Sequence, residues 1–151
     1  MHELLLCRHA EAQPATLDGD DFQRPLTASG REAARAAAAR LAQLPWRPQR
    51  LLYSAALRTR ETATLIAGEF KLDASALIEV AQLYLATPPA LRAVLQAHHG
   101  DLQRLMIVGH NPSLSEWGAQ LAARHRGQSL PTAGYWLIGF ATAPWQQLVG
   151  S

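Results

Sequence analysis

The sequence predicts an α/β fold: three layers, α/β/α, around a mainly parallel but mixed central sheet. Three observations predict it. Short apolar runs that read as buried strands alternate with longer helical segments. The stretches between successive runs are long enough for helical crossovers, which parallel neighbours require. The last two apolar runs lie close together and read as a hairpin or edge pair. Composition agrees: 151 residues, 48% hydrophobic, 17% charged, 10 Gly and 9 Pro. Those values describe a globular chain and exclude a disordered, collagen-like or low-complexity one. A single domain, residues 1–151, is expected at this length.

Glu3–Cys7 is the first buried run. Residues 8–26 carry Pro, Gly and three Asp and read as a long loop, a feature that is usually functional. A helix is expected from about Ala28 to Leu44, with Thr27 or Ser29 as cap and Ser29-x-x-Glu32 as a capping box. Leu41, Leu44 and the alanine face give its apolar stripe, and Pro45 stops it. Arg50–Tyr53 is the second strand, and Ser54 is a candidate cap for a helix from about Ala55 to Phe70. Leu77–Val80 is a third, short strand. Thr87-Pro88 reads as cap plus first-turn proline for a helix to about His98. Arg104–Val108 is the clearest strand, and Pro112 opens a helix to about Arg124. Tyr135–Ala141 and Trp145–Val149 form the terminal pair, and Trp117, Trp136 and Trp145 are packing residues.

The net charge is +2, and of 14 cationic residues only Lys71 is a lysine. Arginine suits bidentate contacts to oxyanions. The basic residues alternate with alanines and acids, so nucleic-acid binding is not favoured. No apolar run approaches the roughly 18 residues of a membrane span. The first residues lack a basic segment and offer only Leu4–Cys7 as an apolar stretch, which does not make a signal peptide. A soluble, cytoplasmic protein of a reducing compartment is expected. One cysteine, Cys7, excludes an internal disulfide framework and a cysteine-based zinc site.

In open α/β sheets, ligands bind beyond the carboxyl ends of the strands. Three such ends carry related chemistry. The first strand ends in Arg8-His9-Ala10-Glu11. The second is followed by Ser54, Arg58, Thr59 and Thr62, and the clearest strand by Gly109-His110-Asn111-Pro112. A lone histidine after a strand is more often a hydrogen-bonded loop residue than a catalyst, and a lone arginine in a first helical turn is usually a surface ion-pair partner. Their joint occurrence on one sheet edge places two arginines and two histidines around one point, with helix amino ends nearby. Such a set binds a dianionic phosphoryl group. Ser54, Thr59 and Thr62 are explained by helix capping and helix-face hydrogen bonds. Cys7 lies within a buried strand and lacks the loop of a cysteine phosphatase. His2, His98, His99 and His125 have no ligand-like spacing and read as structural or surface residues.

Leu-Leu-Cys-Arg-His-Ala, Ser-x-x-x-Arg-x-x-x-Thr-Ala and Val-Gly-His-Asn-Pro resemble, in order and spacing, the histidine phosphatase (phosphoglycerate mutase-like) superfamily over nearly the whole chain. Asp21-Phe22-Gln23-Arg24-Pro25-Leu26-Thr27-x-x-Gly30 resembles its short phosphohistidine phosphatase branch, the SixA type. The resemblance implies that His9 is the nucleophile and that Arg8, Arg58 and His110 form the phosphate pocket. Asn111 is expected to add a backbone or side-chain donor, and Arg24 and Thr27 to pack the loop and cap the helix. The chemistry of the residues is consistent. Imidazole attacks phosphorus only through an unprotonated nitrogen, and adjacent arginines disfavour imidazolium. His110 is expected as a protonated donor to the phosphoryl oxygens. No metal or other cofactor is called for.

Alanine follows His9 where the larger family usually has glycine. No general acid is evident either: Glu11 and Glu79 are the candidates, and Asp101 lies at the wrong end of the sheet. An alkoxide needs a proton as it departs, whereas a phosphohistidine's imidazole can be protonated beforehand. The expected activity is therefore removal of phosphate from phosphohistidine in a protein, such as a phosphorelay or phosphotransfer domain. Two alternatives stand beside it. One is a small-molecule phosphomonoesterase using Glu11 or Glu79. The other is a non-catalytic phospholigand-binding module.

Overall fold

The buried run at the start of the chain forms β1 (His2–Arg8), an interior strand of the sheet, in a computed structural model that describes residues 2–140 and residue 145. There follow α1 (Ala28–Ala42), β2 (Arg50–Tyr53), α2 (Leu57–Phe70), β3 (Leu77–Glu79), α3 (Pro88–His98), β4 (Arg104–Gly109), α4 (Ser113–Leu121) and β5 (Tyr135–Phe140). The sheet order is β3-β2-β4-β1-β5. Three pairings are parallel, and β5 runs antiparallel to β1 with Tyr135 opposite Cys7. The sheet is thus mixed, as the sequence predicts. Arg8 pairs with Gly109, and Tyr53 pairs with Val108. That register brings the carboxyl ends of β1, β2 and β4 to one edge.

Side chains alternate across the sheet because the strand period is two. Leu4, Leu6, Leu52, Leu105 and Ile107 pack with Leu91, Val94, Leu95, Leu114 and Trp117 of α3 and α4. On the other face Leu5, Cys7, Leu51, Met106 and Val108 meet Ala38, Leu41, Ala63, Ile66 and Phe70 of α1 and α2. Both faces are covered, so the central strands read as continuous apolar runs. Trp136 stacks on His125 at 4.1 Å, and Trp145 is buried on the first face.

Several boundaries differ from expectation, each for a local reason. Helix α1 stops at Ala42 rather than Leu44, because Leu41 is the last inward residue and the backbone tightens through Gln43 N–H to Arg40. Leu44 is exposed. Thr27 is the cap, its Oγ1 accepting Gly30 N–H at 2.9 Å, whereas the Ser29 hydroxyl turns to Glu11. Helix α2 begins at Leu57 after Ala56, with no side-chain cap, so Ser54 is not its cap. Helix α4 ends at Leu121, not Arg124: Ala122 adopts φ −141° and leads into a short 3-10 turn (Ala123–His125) that sets His125 on Trp136. Of the expected terminal pair, Ala141 and residues 146–149 lie outside the described residues. Among the described residues, no helix is long and apolar enough to cross a membrane.

Candidate active site

The sheet edge fixes the backbone of His9 before any side chain acts. His9 N–H donates to Gly109 O at the end of β4, and its own carbonyl accepts Ala133 N–H. Arg8 N–H donates to Gly134 O. Ala10 N–H donates to Thr62 Oγ1 at 3.0 Å, and that hydroxyl donates to Arg58 O at 2.7 Å. Thr62 therefore bonds along its helix, as the sequence suggests, and also ties the loop after His9 to the helical turn carrying Arg58. Beyond it, Glu11 O packs so closely on α1 that a Cβ on Gly30 would lie 2.1 Å from it, which only glycine permits.

The sequence-predicted residues converge. Arg8, His9, Arg58, His110 and Asn111 line one open pocket of about 350 Å³, together with Glu11, Arg24 and Leu85. The rings of His9 and His110 lie 5.4 Å apart. His9 Nδ1 is 2.7 Å from Ala10 O. A carbonyl only accepts, so Nδ1 carries the ring proton and Nε2 of the neutral imidazole keeps its lone pair. Burial, followed by the charges of Arg58 and Arg8 and opposed by the Ala10 contact, lowers the His9 pKa to about 4. The arginines depress it as expected, but burial is the larger cause.

His110 corrects an expectation. Burial, then Arg58 and His9, lowers its pKa to about 3, so in the free protein it is neutral near pH 7 rather than a protonated donor. Its Nε2 lies 2.8 Å from Ser54 Oγ, which also accepts Ala56 N–H at 3.4 Å. Ser54 thus serves His110 instead of capping α2. Arg58 is 5% exposed, and its terminal nitrogens donate to Asp21 O at 2.7 Å and Asp21 Oδ2 at 3.1 Å. One terminal nitrogen of Arg8 donates to Leu130 O. Asn111 sits at the pocket, but its side chain is spent: Nδ2 donates to Ser129 Oγ and Leu130 O, and Oδ1 accepts from Ser115. The amide closes the adjoining loop and leaves no side-chain donor for a ligand.

Three polar atoms on the pocket residues, Arg8 Nε, Arg58 Nε and His110 Nδ1, are buried without a hydrogen-bond partner. Among the described residues, three other such atoms lie on Trp46, Trp117 and His125, away from this pocket. Orphaned buried polar groups are costly, and three around one pocket mark a place where an oxyanion would be bound.

The candidate acids do not fit. Glu11 Oε1 accepts the Thr27 and Ser29 hydroxyls at 2.7 and 2.9 Å, which lowers its pKa. Glu79 ends β3 and pairs with Arg60 at 3.2 Å. Sequence reasoning missed Asp21 and Tyr84. Asp21 accepts from Arg58, Arg24 and Tyr84 Oη, the last at 2.6 Å, and Tyr84 first, with both arginines, lowers its pKa to about 2. Asp21 lies in the branch motif quoted above, which was the available signal; nothing local marked Tyr84. Arg24 packs the loop through Asp21 and Gln13 O, as expected, and also lines the pocket. Cys7 is wholly buried, its thiol pushed up to about 12 by burial, so it has no nucleophilic character.

Comparison with known proteins matches this arrangement to a family. Residues 4–83 match the model of the histidine phosphatase superfamily (branch 1). An uncharacterised protein of the cyanobacterium Picosynechococcus is 32% identical over 145 residues, covering 91% of this chain and 83% of that protein. The crystal structure of a candidate phosphohistidine phosphatase SixA from Agrobacterium tumefaciens superposes with a TM-score of 0.82 at 26% identity, covering 90% of each chain. A mycobacterial glucosyl-3-phosphoglycerate phosphatase shares the fold with a TM-score of 0.67 at 16% identity, covering 90% of this chain and 89% of that one. The chain belongs to the histidine phosphatase superfamily, in its SixA-type branch.

Proposed function

We propose that residues 1–151 act as one metal-independent phosphatase domain, with phosphohistidine in a phosphorelay or phosphotransfer protein of the cytoplasm as substrate. The observation that carries the phosphoryl reading is the set of orphaned donors around a histidine whose Nε2 is free. Arg8 and Arg58 hold the phosphoryl oxygens and neutralise their charge. With the Ser54 hydroxyl proton directed to His110 Nε2, the ring proton of His110 sits on Nδ1, the orphaned atom, and donates to the same oxygens. His9 Nε2 attacks phosphorus as the P–N bond of the substrate breaks. The departing imidazole leaves with a proton already taken from solvent. Water then attacks the phosphorus on His9, the second P–N bond breaks with its electron pair returning to Nε2, and phosphate leaves carrying both protons of that water, one of which passes to solvent.

The substrate class rests on the carboxylates. Glu11 lines the phosphate pocket and Asp21 holds its Arg58, and both are held ionised by hydrogen bonds. Neither suits protonation of an alkoxide near pH 7, whereas an imidazole leaving group does not require it. The test is a paired rate measurement on a phosphohistidine-bearing phosphotransfer protein and on an alkyl phosphomonoester. Preference for the protein by orders of magnitude above its spontaneous loss supports the reading. Faster turnover of the monoester overturns it and favours a small-molecule phosphatase, and tight oxyanion binding without turnover of either favours the binding module.

A further inference from the structure

Leu85 combines exposure, a left-handed backbone and a place at the pocket. It is 75% exposed, although it is a large apolar side chain. Its backbone lies at φ 55°, the left-handed region that Cβ-bearing residues rarely occupy. It also lines the pocket that holds His9. Strain and exposed apolar surface thus coincide at the mouth of the site.

The neighbours fix this conformation from both sides. Leu83 is buried at 2% in the core. Tyr84 donates to Asp21 Oδ2, and its ring packs edge-on against His110 at 5.6 Å and Phe22 at 5.0 Å. Two residues on, Thr87 caps α3 by accepting Ala90 N–H. Between these anchors the chain turns through Leu85 and holds its side chain outward. The same Asp21 carboxylate grips Arg58, so Leu85 is tied to the phosphate-binding arginine through two side chains.

We infer that Leu85 is a specificity-determining contact for the body of the substrate: it packs against an apolar side chain beside the phosphohistidine on a phosphotransfer protein. This rests on the functional reading above. A phosphoryl group offers leucine nothing, and a sugar phosphate is mostly polar. An apolar side chain of a docked protein removes the exposed leucine from water. The turn is set before binding, so the contact costs little ordering when the partner arrives.

The test compares wild type, L85N and L85G on a phosphohistidine phosphotransfer protein and on free phosphohistidine. Both variants tolerate positive φ, so folding is preserved and the thermal midpoint is expected to stay equal or rise. The expected result is a KM for the protein raised roughly tenfold more than that for free phosphohistidine, with the effect in KM rather than kcat. Equal losses on the two substrates, or no change on either, overturn the Leu85 contact while leaving phosphohistidine hydrolysis standing. A wild type that turns over neither phosphohistidine substrate overturns the functional reading, and this contact with it.

Discussion

Ser54 Oγ lies 2.8 Å from Nε2 of the buried His110, joining the end of β2 to the end of β4 beneath the phosphate pocket. Replacing Ser54 by alanine leaves a buried imidazole nitrogen without its partner, at a cost of about 1–3 kcal/mol. The S54A protein is expected to melt earlier and to lose roughly tenfold or more in kcat, since His110 no longer holds one tautomer. Calorimetry and steady-state rates check this. An S54A protein with unchanged kcat shows that the contact serves the fold alone.

Arg58 donates to Asp21 through its terminal nitrogens while its Nε stays unpartnered. Loss of this cation in R58A is expected to cost roughly 10²–10³-fold in kcat/KM, as for removal of a donor to transition-state charge. R58K is expected to recover only part, because an ammonium cannot fork between Asp21 and a phosphoryl oxygen. Inhibition by orthovanadate should weaken in the same order.

The buried histidines make a pH prediction. His9 and His110 titrate near 4 and 3 in the folded chain against an ordinary 6.5. The unfolded chain binds more protons in that window, so stability is full above about pH 6.5 and falls as pH drops towards 4. Denaturant unfolding at stepped pH should show this decline, flattened in H110N. NMR titration of the ring protons should find both imidazoles neutral at pH 6. A midpoint near 6.5 for His9 contradicts burial as the main cause.

Glu11 and Glu79 give the sharpest contrast with an acid-assisted phosphomonoesterase. Their carboxylates are committed to the amino end of α1 and to Arg60. E11Q and E79Q are therefore expected to keep phosphohistidine hydrolysis within about threefold, with no change in the shape of its pH profile. Loss of turnover in either identifies it as a proton donor.

Much of this site was legible because strand ends are legible. The apolar runs before Arg8, Ser54 and Gly109 mark three parallel strands, and parallel register brings their last residues to one edge. What the sequence hid depends on contacts between distant segments. Ser54 reads as a helix cap because serine before a helix usually is one, and only the fold brings His110 to it. Asn111 reads as a ligand donor until Ser115, Ser129 and Leu130 take up its amide. The neutral state of His110 in the free chain follows from burial, which cannot be read from a single position. Tyr84 and Leu85 carried no pattern at all; their roles follow from Asp21, 63 residues from Tyr84 along the chain.

The central claim is that phosphate passes through His9. Rapid acid-free quenching during turnover of a labelled phosphohistidine protein, followed by peptide mass spectrometry, tests it directly. A phosphoryl group on His9, stable to alkali, labile to acid and lost in H9A together with turnover, is the predicted result. Turnover that persists in H9A, or label that settles on another residue, contradicts it.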